Sequence, residues 1–405
     1  MNNKKELAIK AKDKKSPIGA DIDLASFKSE VKPSSSKNDV EELAVEERRL
    51  MENVGVNPDE EKTAGVYIQV DQSKVLYNAL TGEAEILPIK EAIKKYEWLN
   101  NYYWSAVNVD FDKYTSAVEL ELHNGYFIRA KAGQKISEPI QACLMLKTGY
   151  IKQNIHNIVI VEEGAELHLV TGCVSPSTLE PALHLGITEF YVKKNAKLTF
   201  TMIHRWGKRT LVRPRSAAIV EDGGVFINNY VILSDVGDLQ TYPTVYLKGE
   251  NSKAELYSVI YGSGKSIYDV GGRIILEAEG AKGKVVSRTI GTEDSIIYAR
   301  GQLIGRRSGC RAHLECNGLL LSERSRLIAI PELEAETIGV ELSHEATIGK
   351  IEQEQLTYLM SRGLSEEEAN ALIVRGFMTI NVPDLPPSLQ KTVDEAIRLT
   401  KLSGF

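Results

Sequence analysis

The chain has 405 residues, of which 43% are hydrophobic and 26% charged, with a formal net charge of −6. These values fit a globular protein with a sizeable core, built as one large domain with additions or as two or three smaller ones. No basic stripe interleaved with aromatics occurs outside a Lys-rich head, and no apolar run approaches the ~18 residues of a membrane span, so neither nucleic acid nor a bilayer is an expected partner.

The opening Met1-Asn2-Asn3-Lys4-Lys5-Glu6 lacks the apolar segment of a signal peptide, which makes the cytoplasm the expected compartment. The four cysteines, Cys143, Cys173, Cys310 and Cys316, are therefore expected to be reduced thiols. Residues 1–64 are polar, with a basic head (Lys4 to Lys15), a Ser-rich stretch (Ser34-Ser35-Ser36-Lys37) and an acidic helical pattern from Glu41 to Glu52. This composition predicts a mobile arm followed by a helix. Residues 65–149 read as a mixed α/β region, with strands near Val66 to Val70 and Ala117 to Ile128 and a helix near Ile89 to Tyr102.

A repeat then appears. Gly164-Ala165-Glu166-Leu167 is echoed at Asn195-Ala196-Lys197-Leu198, Gly223-Gly224-Val225-Phe226, Lys253-Ala254-Glu255-Leu256, Lys282-Gly283-Lys284-Val285 and Arg311-Ala312-His313-Leu314, at offsets of 31, 28, 30, 29 and 29 residues. Small-residue turns between short alternating strands, recurring without intervening helices, predict a mainly β protein with a right-handed parallel β-helix over residues 150–345. A β-sandwich also fits regular strands with turn signals, but the near-constant offset favours the solenoid. Residues 346–405 turn helical. Ser365-Glu366-Glu367-Glu368 is a capping box opening a helix that ends near Gly376, and Pro386-Pro387-Ser388 starts a last helix toward Leu402, both suited to covering an open solenoid end.

Chemistry concentrates in Leu342-Ser343-His344-Glu345-Ala346-Thr347-Ile348-Gly349-Lys350-Ile351, where an imidazole and a carboxylate follow a β-rich region carrying Cys316. Thiolate, imidazole and carboxylate together suit a site that holds iron without holding it permanently. Cys173 reads as lying in a Gly-Cys turn, where backbone N–H groups favour a thiolate. Alternative readings are a buried strand cysteine for Cys316, a turn histidine for His344 and a helix N-terminal acid for Glu345. Gly262-Ser263-Gly264-Lys265-Ser266 imitates a P-loop, but Val259 stands where the first glycine is required. The C-x5-C spacing of Cys310 and Cys316 is not that of a zinc site; Cys143 reads as core, and Cys310 is left open as a ligand.

At these residues the chain resembles the SufB/SufD scaffold proteins of iron–sulfur cluster assembly. His344 to Ile351, followed by Glu354-Gln355-Leu356-Thr357-Tyr358-Leu359 and Ser361-Arg362-Gly363-Leu364, is similar to that family's signature at the end of the solenoid. Gly172-Cys173-Val174-Ser175-Pro176 with Leu183-His184 resembles its first cysteine segment, and Cys316-Asn317-Gly318-Leu319-Leu320-Leu321 its second. The resemblance implies a scaffold rather than a turnover enzyme, with Cys173 as sulfur acceptor and Cys316, His344 and Glu345 as ligands of a transient [4Fe-4S] or [2Fe-2S] cluster.

It further implies a SufC-like ABC ATPase at the C-terminal helices, and a cysteine desulfurase or sulfide as sulfur donor. Ser343-His344-Glu345-Ala346 combines the histidine implicated in SufD with a carboxylate implicated in SufB, which favours a homodimer over pairing with a paralogue. A SufD-like structural partner of a separate SufB is the alternative. A polysaccharide-cleaving β-helix enzyme is disfavoured by the 7% aromatic content and the missing signal peptide.

Overall fold

A computed structural model describes residues 2–37, 40–57 and 63–378. Its body is a β-solenoid of about eight turns, made of a ten-stranded and an eleven-stranded sheet. The expected β-helix is thus present. It starts earlier than residue 150, because the strand Ile140–Met145 already pairs in parallel with Gly65–Val70 and with Glu166–Val174. At its far end, Glu341–Gly349 is the last strand of the ten-stranded sheet.

The turn chemistry explains the repeat. One corner of each coil holds a left-handed residue: Gly133, Gly164, Asn195, Gly223, Asn251, Gly280, Gly309 and Gly339 all have φ between 53° and 79°. Only Gly and Asn adopt this conformation readily, so the corner is written as alternations of the two. Corner amides stitch successive coils together, as in Gly164 N–H to the Lys194 carbonyl and Asn195 N–H to the Asp222 carbonyl, at 2.9 and 2.8 Å.

The observed register corrects one offset. Val225 pairs with Lys253, a step of 28 residues, whereas the pattern match set Gly223 against Lys253. Side chains alternate with period two, so a slip of two leaves every residue on its proper face and the pattern cannot detect it.

Apolar side chains from both sheets fill the lumen, among them Phe190, Phe200, Phe226, Leu256, Val285 and Leu314. The outer face of the ten-stranded sheet is covered at one end by Leu50, Met51, Val54 and Val56 and at the other by Val374 and Met378. Helix Val45–Glu52 matches the acidic pattern around Glu41 to Glu52. Helix Glu366–Met378 carries the expected capping box, with Ser365 Oγ accepting from Glu368 N–H and the Glu368 carboxylate accepting from Ser365 N–H. The helix expected from Pro386 lies outside the described residues.

The N-terminal region differs most from expectation. The basic head forms a helix, Asn2–Ala11, which packs on Lys113–Leu120 rather than standing free. Residues 16–21 are also docked. The buried Arg213 guanidinium donates to the Ala20 carbonyl, and Arg215 bridges Asp112 and Ser16. Residues 117–120 are helical, not extended, because Asp112 caps Lys113–Leu120 by accepting from Tyr114 and Thr115 N–H; the strand is Tyr126–Ala130. The helix expected over Ile89 to Tyr102 divides into Ile89–Lys95 and a 3-10 turn, Glu97–Asn101.

One buried carboxylate fixes this region to the solenoid. Glu189 is inaccessible and accepts from the backbone N–H groups of Trp104, Ser105, Ala106 and Val107 at 2.6–3.0 Å, while His156 Nε2 lies 2.8 Å from its other side. Four amides on one carboxylate compensate its desolvation and hold the 104–107 loop, with Trp104 at φ 55°, against the sheet.

Candidate functional site

The inner face of the ten-stranded sheet carries the cysteines in defined columns. Tyr230, Ser258, Ser287, Cys316 and Ala346 pair in sequence across successive strands and form one inward column. Cys173 pairs with His204 in the next column along the strands. Five rungs separate the strand of Cys173 from that of Cys316, about 24 Å at ~4.8 Å per rung.

Cys173 lies in the strand Glu166–Val174, not in a turn. Its glycine neighbour serves close approach rather than bending: a Cβ on Gly172 would stand 2.3 Å from Val54 Cγ2, so the outward face must be bare for the Val54–Val56 segment to dock. Cys173 is inaccessible, and burial holds its thiol well above the ordinary value, the opposite of the activated turn thiolate expected from the sequence. Cys316 is 2% exposed, and burial, aided by the Glu315 carboxylate, pushes its thiol up to about 11. Both thiols are therefore protonated at neutral pH.

His344 and Glu345 stand on the strand Glu341–Gly349, not at a helix start. Strand alternation then separates them. His344 pairs with Leu314, a core residue, and its buried Nε2 has no hydrogen-bond partner. Glu345 pairs with Glu315 on the outer face and is exposed. Within one chain the fold brings Cys316 and His344 to one inner face on neighbouring rungs and turns Glu345 away. Among the described residues no group of three or more His, Cys, Asp or Glu side chains is arranged to hold a metal ion.

The remaining candidates resolve as follows. Cys143 is buried on the outer face beneath the 50–56 segment, as core. Cys310 is buried with Sγ 3.1 Å from the Ala278 carbonyl, and burial raises its thiol too. His184 donates from Nδ1 to Gln153 Oε1 at 2.8 Å, and burial pulls its imidazole down to about 3. The P-loop imitation joins two strands, with no helix to receive a phosphate.

Between these columns lies an internal cavity of about 50 Å³, lined by His184, His204, Asn228, Tyr230, Ser258 and Ser287 among apolar side chains. His204, Trp206, Tyr230 and the serine column escaped sequence reasoning, since a lone His or Ser in an alternating strand carries no signal until register stacks it. On the outer face, His313 Nδ1 lies 2.8 Å from Ser343 Oγ, and Arg288 pairs with Glu315 at 2.6 Å while stacking on Phe377 of the C-terminal helix.

Residues 145–377 match the family model described as "SUF system FeS cluster assembly, SufBD core domain". The chain is 44% identical to an iron–sulfur cluster assembly SufBD family protein of Methanothermobacter thermautotrophicus strain Delta H, over 94% of each chain. It is 47% identical to one of Archaeoglobus fulgidus, over 89% of this chain and 96% of that one, and 32% identical to one of Pyrococcus horikoshii, over 90% and 83%. The stacked strands, the inward cysteines and these matches agree, and the chain belongs to the SufBD family of iron–sulfur cluster assembly proteins.

Proposed function

We propose that this protein is a scaffold on which an iron–sulfur cluster is built as cargo, with Cys173 accepting sulfur and Cys316 binding the growing cluster. The observation that carries the reading is the lumen: its cavity is lined by His204, the register partner of Cys173, by Tyr230 and Ser258, and by Ser287, the register partner of Cys316. In the first step the Cys173 thiolate attacks the sulfane sulfur of a donor persulfide. The donor S–S bond breaks, Cys173 becomes a persulfide, and the donor leaves as thiolate to be reprotonated. Because burial disfavours the Cys173 thiolate, transfer requires an opening of the closed coil.

Cys316 and the unpartnered His344 Nε2 face the end of the lumen and supply two ligands of different strength, which suits a cluster that must be released. Glu345 sits on a strand whose outer edge is unpaired among the described residues, so it reaches a cluster held between two copies rather than one enclosed within a single coil. The protein works as a homodimer in the cytoplasm with a SufC-like ABC ATPase. The helix Gln353–Ser361, with Tyr358 58% and Met360 41% exposed, offers the docking face. The protein itself performs no ATP hydrolysis.

Anaerobic reconstitution with ferrous iron and sulfide, read by visible absorption and Mössbauer spectra, tests this. A cluster in the wild type that is lost in Cys316→Ala is expected. No cluster in either would instead favour a SufD-like structural partner of a separate SufB.

A further inference from the structure

Two buried ring nitrogens, one on the residue paired with Cys173 and one two residues further along, have no hydrogen-bond partner. His204 is 1% and Trp206 3% exposed, and neither His204 Nε2 nor Trp206 Nε1 has a partner. The indole nitrogen can only donate. His204 Nδ1 lies 3.0 Å from the Tyr230 hydroxyl, and with that hydroxyl as donor the imidazole proton stands on Nε2. The two rings lie against each other, with centroids 5.4 Å apart and planes at 68°. His184 flanks Trp206 at 5.0 Å.

Both donors belong to the inward side of the strand Lys197–Arg205 and its continuation, and His204 pairs directly with Cys173 on the neighbouring strand. Leu144, which pairs with Cys173, and Met202, the preceding inward residue on the strand of His204, offer no oxygen or nitrogen. Buried N–H groups without acceptors are rare, because each has given up water for nothing. They mark a place where an acceptor arrives. Two neutral donors in an apolar lumen suit a small, polarisable anion better than a hard one, whose dehydration they could not offset.

Resting on the reading of Cys173 as sulfur acceptor, we propose that His204 Nε2–H and Trp206 Nε1–H form an anion pocket for sulfane sulfur, holding the terminal sulfur of a Cys173 persulfide. Of the two protons carried by the Cys173 thiol and the donor persulfide, one leaves with the donor as thiol and one passes to solvent, so the species in the pocket is Cys173–S–S⁻. The pocket keeps this anion at the Cys173 end of the lumen, ready to be attacked, while the neutral thiol before loading makes no such demand. Tyr230 is a positioning residue that fixes the tautomer.

The test loads wild type, H204F, H204Q and W206F with inorganic polysulfide. Sulfane sulfur on Cys173 is located by peptide mass spectrometry, and the rate of iodoacetamide capture of that persulfide is followed against pH. The inflection in H204F and W206F is expected to rise by about one pH unit, a tenfold loss of anion. H204Q keeps an N–H donor and is expected to stay near wild type; the H204Q and W206F pair decides the matter if H204F folds poorly by thermal melting. A W206F inflection equal to wild type, or an H204Q shift as large as that of W206F, would overturn the pocket. No sulfane sulfur on Cys173 of the folded wild type would instead overturn the acceptor reading, and the pocket with it.

Discussion

At its N-terminal end the solenoid is sealed: every residue of the strand Gly65–Val70 is buried, and helices from the first 120 residues cover the neighbouring faces. At the C-terminal end the strands Arg326–Ala335 and Glu341–Gly349 are exposed or half-buried, and each has one unpaired edge among the described residues. Ile338, in the turn between them, is 91% exposed, with Leu333 and Ile348 also open. Solenoids normally cap such an end, since free strand edges and apolar rungs invite pairing with another chain. The contrast teaches that the N-terminal end is built for stability, whereas the end bearing Cys316, His344 and Glu345 is left open among the described residues, as the proposed pairing of two copies requires.

Substitutions can break this contrast in a graded way. The largest effect is expected from Glu189→Leu, which strands four backbone amides and His156 and should cost on the order of 4 kcal/mol or more in chemical denaturation. Next comes acid. The His184 imidazole is pulled from 6.5 to about 3 in the fold, so the unfolded chain takes up its proton first as pH falls. Stability from this group is intact above about pH 6.5 and is lost toward pH 3, at up to about 1.4 kcal/mol per pH unit. Urea titrations at pH 7 and pH 5 should show this loss, and His184→Gln should flatten the slope.

Gly172→Ala forces a methyl into Val54 and should cost about 1–3 kcal/mol, with faster proteolysis in residues 40–57 as the local readout. The smallest stability effect, within about 0.5 kcal/mol, is expected from Ile338→Lys. Its consequence should appear in sedimentation velocity as weakened self-association. Unchanged association would refute the unfinished end as the dimer face.

The β-solenoid was legible because each coil needs one left-handed corner, and only Gly or Asn fills it cheaply. The capping box at Ser365 and the strand over Val66 to Val70 were legible for similarly local reasons. The helix Lys113–Leu120 was not: Tyr114, Thr115 and Val118 favour strand by propensity, and Asp112 acts as its cap in a tertiary setting where Arg215 holds the same carboxylate. Likewise the last strand, with one polar exposed face, reads as a turn entering a helix until its register against Arg311–Leu320 is seen.

By itself the sequence determined the repeat, the two cysteine segments and the family, because these depend on local conformation and on residue identity at fixed spacing. Tertiary structure alone decided which residues meet. It placed Cys173 beside His204 and Trp206 against that imidazole, stacked Ser258 and Ser287 toward Cys316, and turned Glu345 away from His344. The physical reason is that a parallel coil fixes neighbours by register between strands some 29 residues apart, while the period-two pattern that sequence displays is blind to a slip of two.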